Sequence, residues 1–287
     1  MRVKHSCHVF VLILALAWGG GVFAAPQRVV SINLCTDEYV FRLVPRDHIA
    51  ALSILSGDRN PVVSTIADQV GGIRRIRQTT EEVLGLNPDL VVLDAGSNAR
   101  IREHLLRAHV PVLEVPYVNS LSEIRDTTRM LGEKLDAQGK AQALLAEMDR
   151  DIEATREHAP HLPVRALIYE PNGYATSGGV TEEMMAMAGL ADAAPALRPT
   201  RLGTIPVETI VTAAPELLIL AGRPDAQGSR ADLLLHHPAL SALKNIHVAW
   251  ASTNALLCPG PWSVKEALTF AELGRETRAL AKGAAAK

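Results

Sequence analysis

Two cysteines, Cys35 and Cys258, offer the widest choice of chemistry in this sequence of 287 residues. Each follows a β-branched or apolar run that predicts a strand, so we expect both thiols on loops. Three interpretations fit: a disulfide between them, a pair of thiols that contact a metal-centred ligand, or two unrelated buried thiols. Because neither pairing geometry nor thiol pKa can be derived from a sequence, all three stay open.

Motifs for catalysis are missing from the sequence. It contains no G-x-S-x-G elbow, no P-loop and no G-x-G-x-x-G after a predicted strand. Ser177 lies before Gly178 and Gly179, yet no histidine is placed to activate it, and Cys35 has no evident base. We therefore predict that the protein is not an enzyme, and a secreted α/β enzyme stays as the alternative.

Two glutamates occupy equivalent places in a repeated unit. "EEVLGLNPDLVVL" (residues 81–93) and "VETIVTAAPELLIL" (residues 207–220) each predict the end of a helix, a short break and a buried strand. A shift of 127 positions aligns Glu81 with Glu208 and the Pro-Asp pair of the first unit with the Pro-Glu pair of the second. A single exposed glutamate needs no explanation. Two at equivalent positions indicate a function.

The first residues have the pattern of an export signal. Arg2 and Lys4 precede the apolar run Val9–Trp18, and small residues surround Ala24 and Ala25. This pattern predicts a signal peptide over residues 1–25, with an apolar run too short to span a bilayer. A lipid-modified cysteine would follow the run, whereas Cys7 precedes it, so we expect a soluble exported protein.

Charge argues against nucleic acid as a partner. Without Arg2 and Lys4 the formal net charge changes from -2 to -4, and the sequence has no run of basic residues. Two cysteines in about 260 residues do not form a disulfide framework, so a hydrophobic core must hold the exported chain together.

The rest of the chain alternates between predicted strands and helices. Apolar or β-branched runs predict strands at 28–32, 49–53, 90–94, 112–115, 164–170, 217–220 and 246–250. Helical patterns separate them, Thr36 or Asp37 is placed to cap the first helix, and a last helix runs from Ser263 to about Leu280 before a frayed tail. Continuously apolar strands that alternate with helices indicate parallel sheets covered on both faces. We predict an N-terminal α/β lobe (26–136), an interlobe helix (137–159) and a C-terminal α/β lobe (160–287).

This sequence resembles the periplasmic substrate-binding proteins of ABC importers for vitamin B12, ferric siderophores and haem. "RVVSINLCTDEYVF" (28–41) is similar to that family's first strand and cleft loop, and the two repeated units are similar to its two lobe segments. The resemblance covers essentially the whole chain after the signal peptide. It implies a class III fold, in which two α/β lobes with parallel-type sheets are joined by a single long α-helix.

The resemblance also implies partners. In that family one glutamate of each lobe docks into arginines of an inner-membrane permease dimer, which assigns docking to Glu81 and Glu208, with Glu82 as a competitor in the first lobe. Two carboxylates far apart on a rigid body would fix its orientation against a two-fold partner. The resemblance further implies a periplasmic monomer that binds a corrinoid such as cobalamin, or a ferric siderophore, and haem is the alternative.

We expect the ligand between the lobes, because open α/β sheets bind at the carboxyl ends of their strands. Flat apolar surfaces and cations on the corresponding loops would suit a macrocycle with carboxylates. Eight residues are therefore predicted to line the cleft: Asn33, Cys35, Arg59, Tyr117, Tyr174, Arg223, Cys258 and Trp262.

No cofactor and no free metal ion are expected. A zinc or manganese site needs converging histidines and carboxylates. None of the histidines after the signal peptide falls on a predicted cleft loop: His48, His104, His109, His158, His161, His236, His237 and His247. If haem were bound, Tyr117 or Tyr174 would be the expected iron ligand.

Overall fold

The structure is a computed structural model that describes residues 25–285, except 176, 198–202, 225–229 and 244–245. The predicted signal peptide therefore lies outside the described residues apart from Ala25. Within the described ranges, no helix combines the length and the hydropathy that a membrane crossing requires.

Two separate sheets form the centres of the two lobes. The first has the strand order β3-β2-β1-β4-β5 and consists of β1 (Val29–Ser31), β2 (Ile49–Ser53), β3 (Arg75–Ile76), β4 (Leu90–Asp94) and β5 (Val112–Val115). The second has the order β7-β6-β8-β9 and consists of β6 (Val164–Tyr169), β7 (Leu190–Asp192), β8 (Leu217–Ala221) and β9 (His247–Ala251). All neighbouring strands in both sheets are parallel.

Helices cover both faces of these sheets. Those of the first lobe are α1 (Leu34–Leu43), α2 (Thr80–Leu84), α3 (Ala99–Arg107) and α4 (Leu121–Lys134), and α5 (Gln138–His158) connects the lobes. Those of the second lobe are α6 (Gly179–Met187), α7 (Ala194–Leu197), α8 (Val207–Ala213), α9 (Pro238–Ser241), α10 (Asn254–Leu257) and α11 (Val264–Ala285). Single 3₁₀ turns lie at Arg46–His48, Ile54–Gly57, Pro171–Gly173, Arg230–Leu234 and Pro261–Ser263.

The central strands are mostly apolar because each sheet separates two cores. Val29 and Val92 belong to the core under α1 and α4, whereas Val30 and Val91 face the opposite core. In the second lobe the residues of β6 and β8 divide between two cores in the same way. Burial on both faces explains why these strands read as continuous hydrophobic runs rather than as alternating ones.

The connecting helix α5 is built into a core of its own. Its 21 residues span about 32 Å at the usual rise, and its buried stripe contains Leu145, Met148 and Ile152. The stripe packs with residues of α4, α6 and α11. A helix packed along its length against both lobes restricts hinge motion between them.

The predicted fold class is confirmed, and the differences are local. The strands β3 and β7 were not predicted, since two and three residues are too short to give a periodic signal. The predicted capping role of Thr36 or Asp37 is wrong: α1 begins at Leu34 after Asn33, and the Asp37 carboxylate turns inward to Ser53. The predicted frayed tail is also wrong as far as Ala285, because α11 continues to that residue.

Candidate functional site

The lobes meet where the carboxyl ends of their strands face each other. The carbonyl oxygen of Pro61, on the loop after β2, accepts hydrogen bonds from Ser252 Oγ (2.6 Å), the Thr253 amide (3.2 Å) and the Asn254 amide (3.1 Å). The Asn254 side chain also donates to the Ser64 carbonyl oxygen at 2.9 Å. These bonds place the loop after β9 directly against the loop after β2.

A disulfide is the second connection between the lobes. Cys35, in the first turn of α1, is bonded to Cys258, which follows α10, and their Cα atoms are 4.8 Å apart. Of the three interpretations of the two thiols, the structure contains the first. The bond joins the first turn of α1, which follows β1, to the residue after α10, which follows β9. It therefore links the two lobes.

Three cavities lined by described residues lie between the lobes. The rear pocket, about 530 Å³, is lined by Arg42, Thr65, Gln69, Leu144, Glu147, Ser252, Asn254, Ala255, Pro261, Trp262, Lys265 and Glu266. The Arg223 pocket, about 340 Å³, is lined by Arg59, Asn60, Pro61, Ala221, Gly222, Arg223, Asp232, Leu235, His236 and Trp250. The Tyr117 pocket, about 260 Å³, is lined by Tyr117, Val118, Asn119, Ser177, Gly178, Gly179, Val180, Thr181, Leu256 and Pro259.

Exposed apolar side chains are concentrated on the loops that follow the strands. Seven of the eleven large hydrophobic side chains that are exposed among the described residues belong to these loops: Ile54, Leu55, Tyr117, Tyr174, Leu233, Leu234 and Leu257. Tyr117 is the most exposed of them, at 76%. A protein that places its exposed apolar surface on one edge of its sheets offers that edge for binding.

The predicted arginines and tyrosines fall into different parts of this region. Arg59 and Arg223 line the same pocket, and Arg59 forms an exposed ion pair with Asp68 (2.7 Å). Tyr117 lines a separate pocket. Tyr174 lies on the loop after β6, where its backbone pairs with Thr204. The structure therefore brings the two arginines together and leaves the two tyrosines apart from them.

Asn33 and Trp262 both have structural partners, and Trp262 also lines an interlobe cavity. The Asn33 side chain accepts hydrogen bonds from the Asp94 amide (3.1 Å) and the Asn98 side chain (3.2 Å), which ties the loops after β1 and β4 together. Trp262 packs edge-on against Tyr39 and under the Arg42 guanidinium, 4.1 Å from the ring centre. It lines the rear pocket, on the side of α5, and neither of the other two cavities.

One histidine contradicts the expectation that none would lie in the cleft. His236 lines the Arg223 pocket and stacks on Trp250, with ring centres 4.9 Å apart. The expectation failed because the segment after β8 is long and returns to the cleft edge. Even so, the described residues contain no group of three or more histidines, cysteines or carboxylates able to hold a metal ion.

Sequence reasoning missed the aliphatic residues of the cleft as well as His236. Ile54, Leu55 and Leu257 lie in predicted cleft loops. A signal was present for Ile54 and Leu55, which are large aliphatic side chains placed directly after a strand. The predicted cleft residues included aromatic and charged side chains but no aliphatic ones. Leu233 and Leu234 had no such signal, since they follow β8 only after an intervening segment.

Two fully buried carboxylates of α1 anchor the long loop after β2. Asp37 accepts hydrogen bonds from the Ser53 amide and hydroxyl, the latter at 2.5 Å, and burial raises its pKa to about 7. Glu38 pairs with Arg42 at 2.6 Å and accepts hydrogen bonds from the Thr65 amide (2.8 Å) and hydroxyl. The loop segment between Ser53 and Thr65 is thus fixed at both ends.

Two further acids are shifted by burial. Asp94, at the carboxyl end of β4, has its pKa raised to about 6, and Glu266, in the rear pocket, has its pKa raised to about 7. Both shifts arise because burial penalises the charged carboxylate. The Glu266 carboxyl of the rear pocket is therefore only partly ionised near neutral pH.

Glu81 and Glu208 lie exposed in the first turns of α2 and α8. Neither carboxylate makes a hydrogen bond or ion pair within the ranges that the structure describes. Glu82 is different, since its carboxylate accepts the Arg77 amide (2.9 Å) and its own amide donates to Thr79. Of the two neighbouring acids, Glu81 is the one available to a partner.

Comparison with known proteins agrees with this architecture. The family model described as "Periplasmic binding protein" matches residues 42–252. The chain belongs to the periplasmic binding protein family. A curated relative, the uncharacterized ABC transporter substrate-binding lipoprotein YvrC of Bacillus subtilis (strain 168), is 28% identical over 137 residues. That match covers 47% of this chain and 42% of the relative's length.

Solved periplasmic proteins share the fold. The vitamin B12 binding protein BtuF of Vibrio cholerae has a TM-score of 0.63 at 19% identity, covering 88% of this chain and 98% of that one. The haem-binding protein RhuT of Roseiflexus sp. RS-1 has a TM-score of 0.65 at 18% identity, with 86% and 98% covered. A possible iron-binding protein of Staphylococcus epidermidis ATCC 12228 has a TM-score of 0.64 at 18% identity, with the same coverage.

The disulfide should contribute strongly to stability, because it closes a loop of 223 residues in the unfolded chain. We expect reduction, or the Cys35→Ser/Cys258→Ser double variant, to lower the free energy of unfolding by about 2–5 kcal/mol. Urea unfolding of the oxidised and reduced protein measures this difference. The double variant is the control, since reductant should leave it unchanged; equal stability of oxidised and reduced parent would contradict the prediction.

The buried Asp37 carboxyl should make stability depend on pH. Its pKa rises from 3.8 to about 7 on folding, so the folded state holds a proton that the unfolded state releases between these values. This contribution is complete below the unfolded pKa and is lost as the pH rises through about 7. Relative to Asp37→Asn, we expect the free energy of unfolding of the parent to fall by about 1 kcal/mol per pH unit in this window. The prediction would be disproved if the free energy of unfolding, measured by urea titration, had the same dependence on pH in the parent and in Asp37→Asn.

Proposed function

We propose that this periplasmic binding protein is the substrate-binding component of an ABC importer. It works in the periplasm as a monomer, binds a metal chelate in the interlobe cleft and delivers it to an inner-membrane permease. The ligand is a corrinoid such as cobalamin, or a ferric siderophore. One observation carries the proposal: the exposed apolar side chains are concentrated on the cleft-side loops of a two-lobed α/β protein.

The chemistry of the cleft favours a large ligand with both apolar and anionic parts. Ile54, Leu55 and Leu257 offer aliphatic contact, and Tyr117 offers a flat exposed ring. Arg223 lies close enough to Arg59 for both to line one pocket, where guanidinium groups would meet carboxylate or phosphate oxygens. This combination suits a chelate whose periphery carries acidic groups.

The lobe connections imply that the cleft changes little on binding. The disulfide and the bonds from Pro61 to residues 252–254 hold the lobes at two points, and α5 packs against both. A preformed site loses less conformational freedom on binding than one that must close. The protein then performs no chemistry, and its work consists of capture and presentation.

Haem is the second candidate, and His236 favours it. An imidazole in the wall of a pocket that also contains two arginines could contact a haem iron while the arginines pair with its carboxylates. The stacking of His236 on Trp250 would orient the ring. Haem, cobalamin, cobinamide and several ferric siderophores therefore belong in one screen.

Docking is the second half of the proposed function. The chain leaves β3 at the carboxyl edge of the sheet and enters β4 at the amino edge, so α2 begins near the cleft and runs away from it. The helix α8 likewise runs towards the amino edge, where β8 begins. Glu81 and Glu208, in the first turns, thus lie towards the cleft side of their lobes. A permease that contacts both carboxylates would have the cleft mouth between them.

The identity of the ligand is open to a direct test. Purified protein without its signal peptide is heated with cyanocobalamin, cobinamide, haem or a ferric siderophore, and quenching of Trp250 is followed in parallel. A compound that binds the native state should raise the melting temperature with concentration. If none of these compounds binds, before or after reduction of the disulfide, the proposed ligand class fails.

Arg223 should contribute to affinity for the compound that binds. We expect Arg223→Ala to weaken binding about tenfold, because a charged hydrogen bond is worth about 1.5–3 kcal/mol. Fluorescence titration gives the two dissociation constants. Arg107→Ala, on the exposed face of α3, is the matched control and should bind as the parent does. An unchanged affinity for Arg223→Ala would exclude it from the site.

The two exposed glutamates should be needed for uptake but not for binding. We expect Glu81→Ala/Glu208→Ala to bind the compound normally and to support uptake at least about tenfold less well, since two charged contacts are lost. Cells that lack the native gene are complemented with each variant. Glu103→Ala/Glu153→Ala, which removes the same charge elsewhere, should leave uptake unchanged. Normal uptake with the first double variant would refute the docking role.

A further inference from the structure

The two helices that carry the repeated glutamates, α2 with Glu81 and α8 with Glu208, are each followed by a contact with an arginine. In the first lobe Arg28 donates to the carbonyl oxygens of Leu86 (2.6 Å) and Asn87 (3.2 Å), just beyond α2. In the second lobe Arg165 donates to the carbonyl oxygens of Ala213 (3.0 Å) and Ala214 (2.5 Å), at the end of α8. In the second lobe the guanidinium group satisfies a carbonyl group at the end of α8 that the helix leaves without a partner. In the first lobe it holds the turn two and three residues beyond the last residue of α2.

Each arginine is itself held by the acid that follows the repeated proline. The Asp89 carboxylate accepts the backbone amides of Gln27 (2.7 Å) and Arg28 (3.0 Å). The Glu216 carboxylate accepts the backbone amide of Arg165 (2.9 Å) and pairs with the side chain of Arg278 (2.5 Å). Each arginine is therefore fixed at the amino end of a central strand, β1 or β6.

The residue before the repeated proline has a positive φ in both lobes. Asn87 and Ala214, the residues before the two prolines, both have left-handed conformations, with φ of 48° and 42°. Alanine adopts this conformation only at some cost in energy, yet Ala214 does so at the position equivalent to Asn87. Two lobes of different sequence thus place a left-handed residue at the same point.

The number of residues between the arginine and the glutamate differs between the two lobes, so the arginine contact does not follow from a simple sequence repeat. Glu208 follows Glu81 by 127 positions, whereas Arg165 follows Arg28 by 137. The same pair of carbonyl contacts is therefore made although the separation between arginine and glutamate differs by ten residues. What the lobes share is the fixed end of each helix.

Fixing one end matters because both helices are short. With five residues in α2 and seven in α8, neither would be stable in isolation. A cation near the carboxyl end of a helix also interacts favourably with the helix dipole. If that end moves, the first turn moves with it, and so does the carboxylate that it carries.

We propose that Arg28 and Arg165 are positioning residues for docking, which hold α2 and α8 so that Glu81 and Glu208 keep the separation that the partner requires. This inference rests on the proposed docking function of the two glutamates. The arginines do not touch the partner, since they lie at the amino edges of the sheets, opposite the cleft.

The test compares four double variants of the protein without its signal peptide: Arg28→Ala/Arg165→Ala, Arg28→Lys/Arg165→Lys, Glu81→Ala/Glu208→Ala and the control Arg107→Ala/Arg129→Ala. The control removes two exposed arginines of α3 and α4. Docking is measured by cosedimentation with right-side-out inner-membrane vesicles of the source organism, competed by unlabelled parent. Hydrogen exchange of the Gly85 and Ala214 amides, which bond within α2 and α8, reports on the helices.

We expect the Arg28→Ala/Arg165→Ala variant to stay folded and to exchange its Gly85 and Ala214 amide hydrogens faster than the parent. It should dock about fivefold more weakly than the parent. Lysine should recover part of the docking, because an ammonium can contact one carbonyl oxygen where guanidinium contacts two. The glutamate variant should lose docking with normal exchange. The control should match the parent in both measurements.

Two other outcomes are distinguishable. If Arg28→Ala/Arg165→Ala shows faster amide hydrogen exchange but docks as the parent does, the arginines are structural only and the inference is overturned. If the glutamate variant docks as the parent does, the docking function fails, and the positioning role fails with it. If Arg28→Ala/Arg165→Ala does not fold, Arg28→Lys/Arg165→Lys tests the inference by the same comparison of docking with amide hydrogen exchange.

Discussion

The burial of two adjacent carboxylates in α1 is the constraint on which the cleft depends. Asp37 fixes Ser53 and Glu38 fixes Thr65, so the intervening loop leaves the sheet at one defined point and returns at another. That loop supplies Ile54 and Leu55 to the cleft and Pro61 to the contact with the second lobe. Charges in a protein interior are costly unless every oxygen has a partner. Here the partners are the amides and hydroxyls of Ser53 and Thr65, at the two ends of the loop. A change in the conformation of the loop would therefore leave a carboxylate buried without hydrogen-bond donors.

The strands that could be predicted are those that the two cores bury completely. The mostly apolar runs Ile49–Ser53 and Val112–Val115 gave the observed bounds, because parallel strands covered on both faces have few polar positions to interrupt the run. The anchors in α1 could not be predicted. Two acids in a first helical turn are ordinary surface residues by sequence, and only the path of the loop after β2, a tertiary feature, brings hydrogen-bond donors to them.

The same division applies to the site. The loops were predictable, since the carboxyl ends of parallel strands must share one edge. The orientation of each side chain was not. Trp262 lies four residues beyond Cys258 but packs on Tyr39 and lines the rear pocket, whereas His236 reaches the Arg223 pocket from a segment with no sequence signal. Which face of a loop a residue presents depends on what the opposite lobe leaves room for, and a single sequence does not contain that information.

The repeated unit illustrates how structure separates architecture from function. Its proline, its acid and its apolar strand all have partners inside their own lobe: the acid accepts amides of the central strand, the residue before the proline turns the chain, and the strand is buried. Homologous or similar lobes would keep those features to fold at all. The glutamate alone has no such partner within the described residues, at either position. A residue that the fold does not require, present twice in the same place and exposed on the cleft side, is better explained by a partner outside the molecule than by the stability of the lobe that carries it.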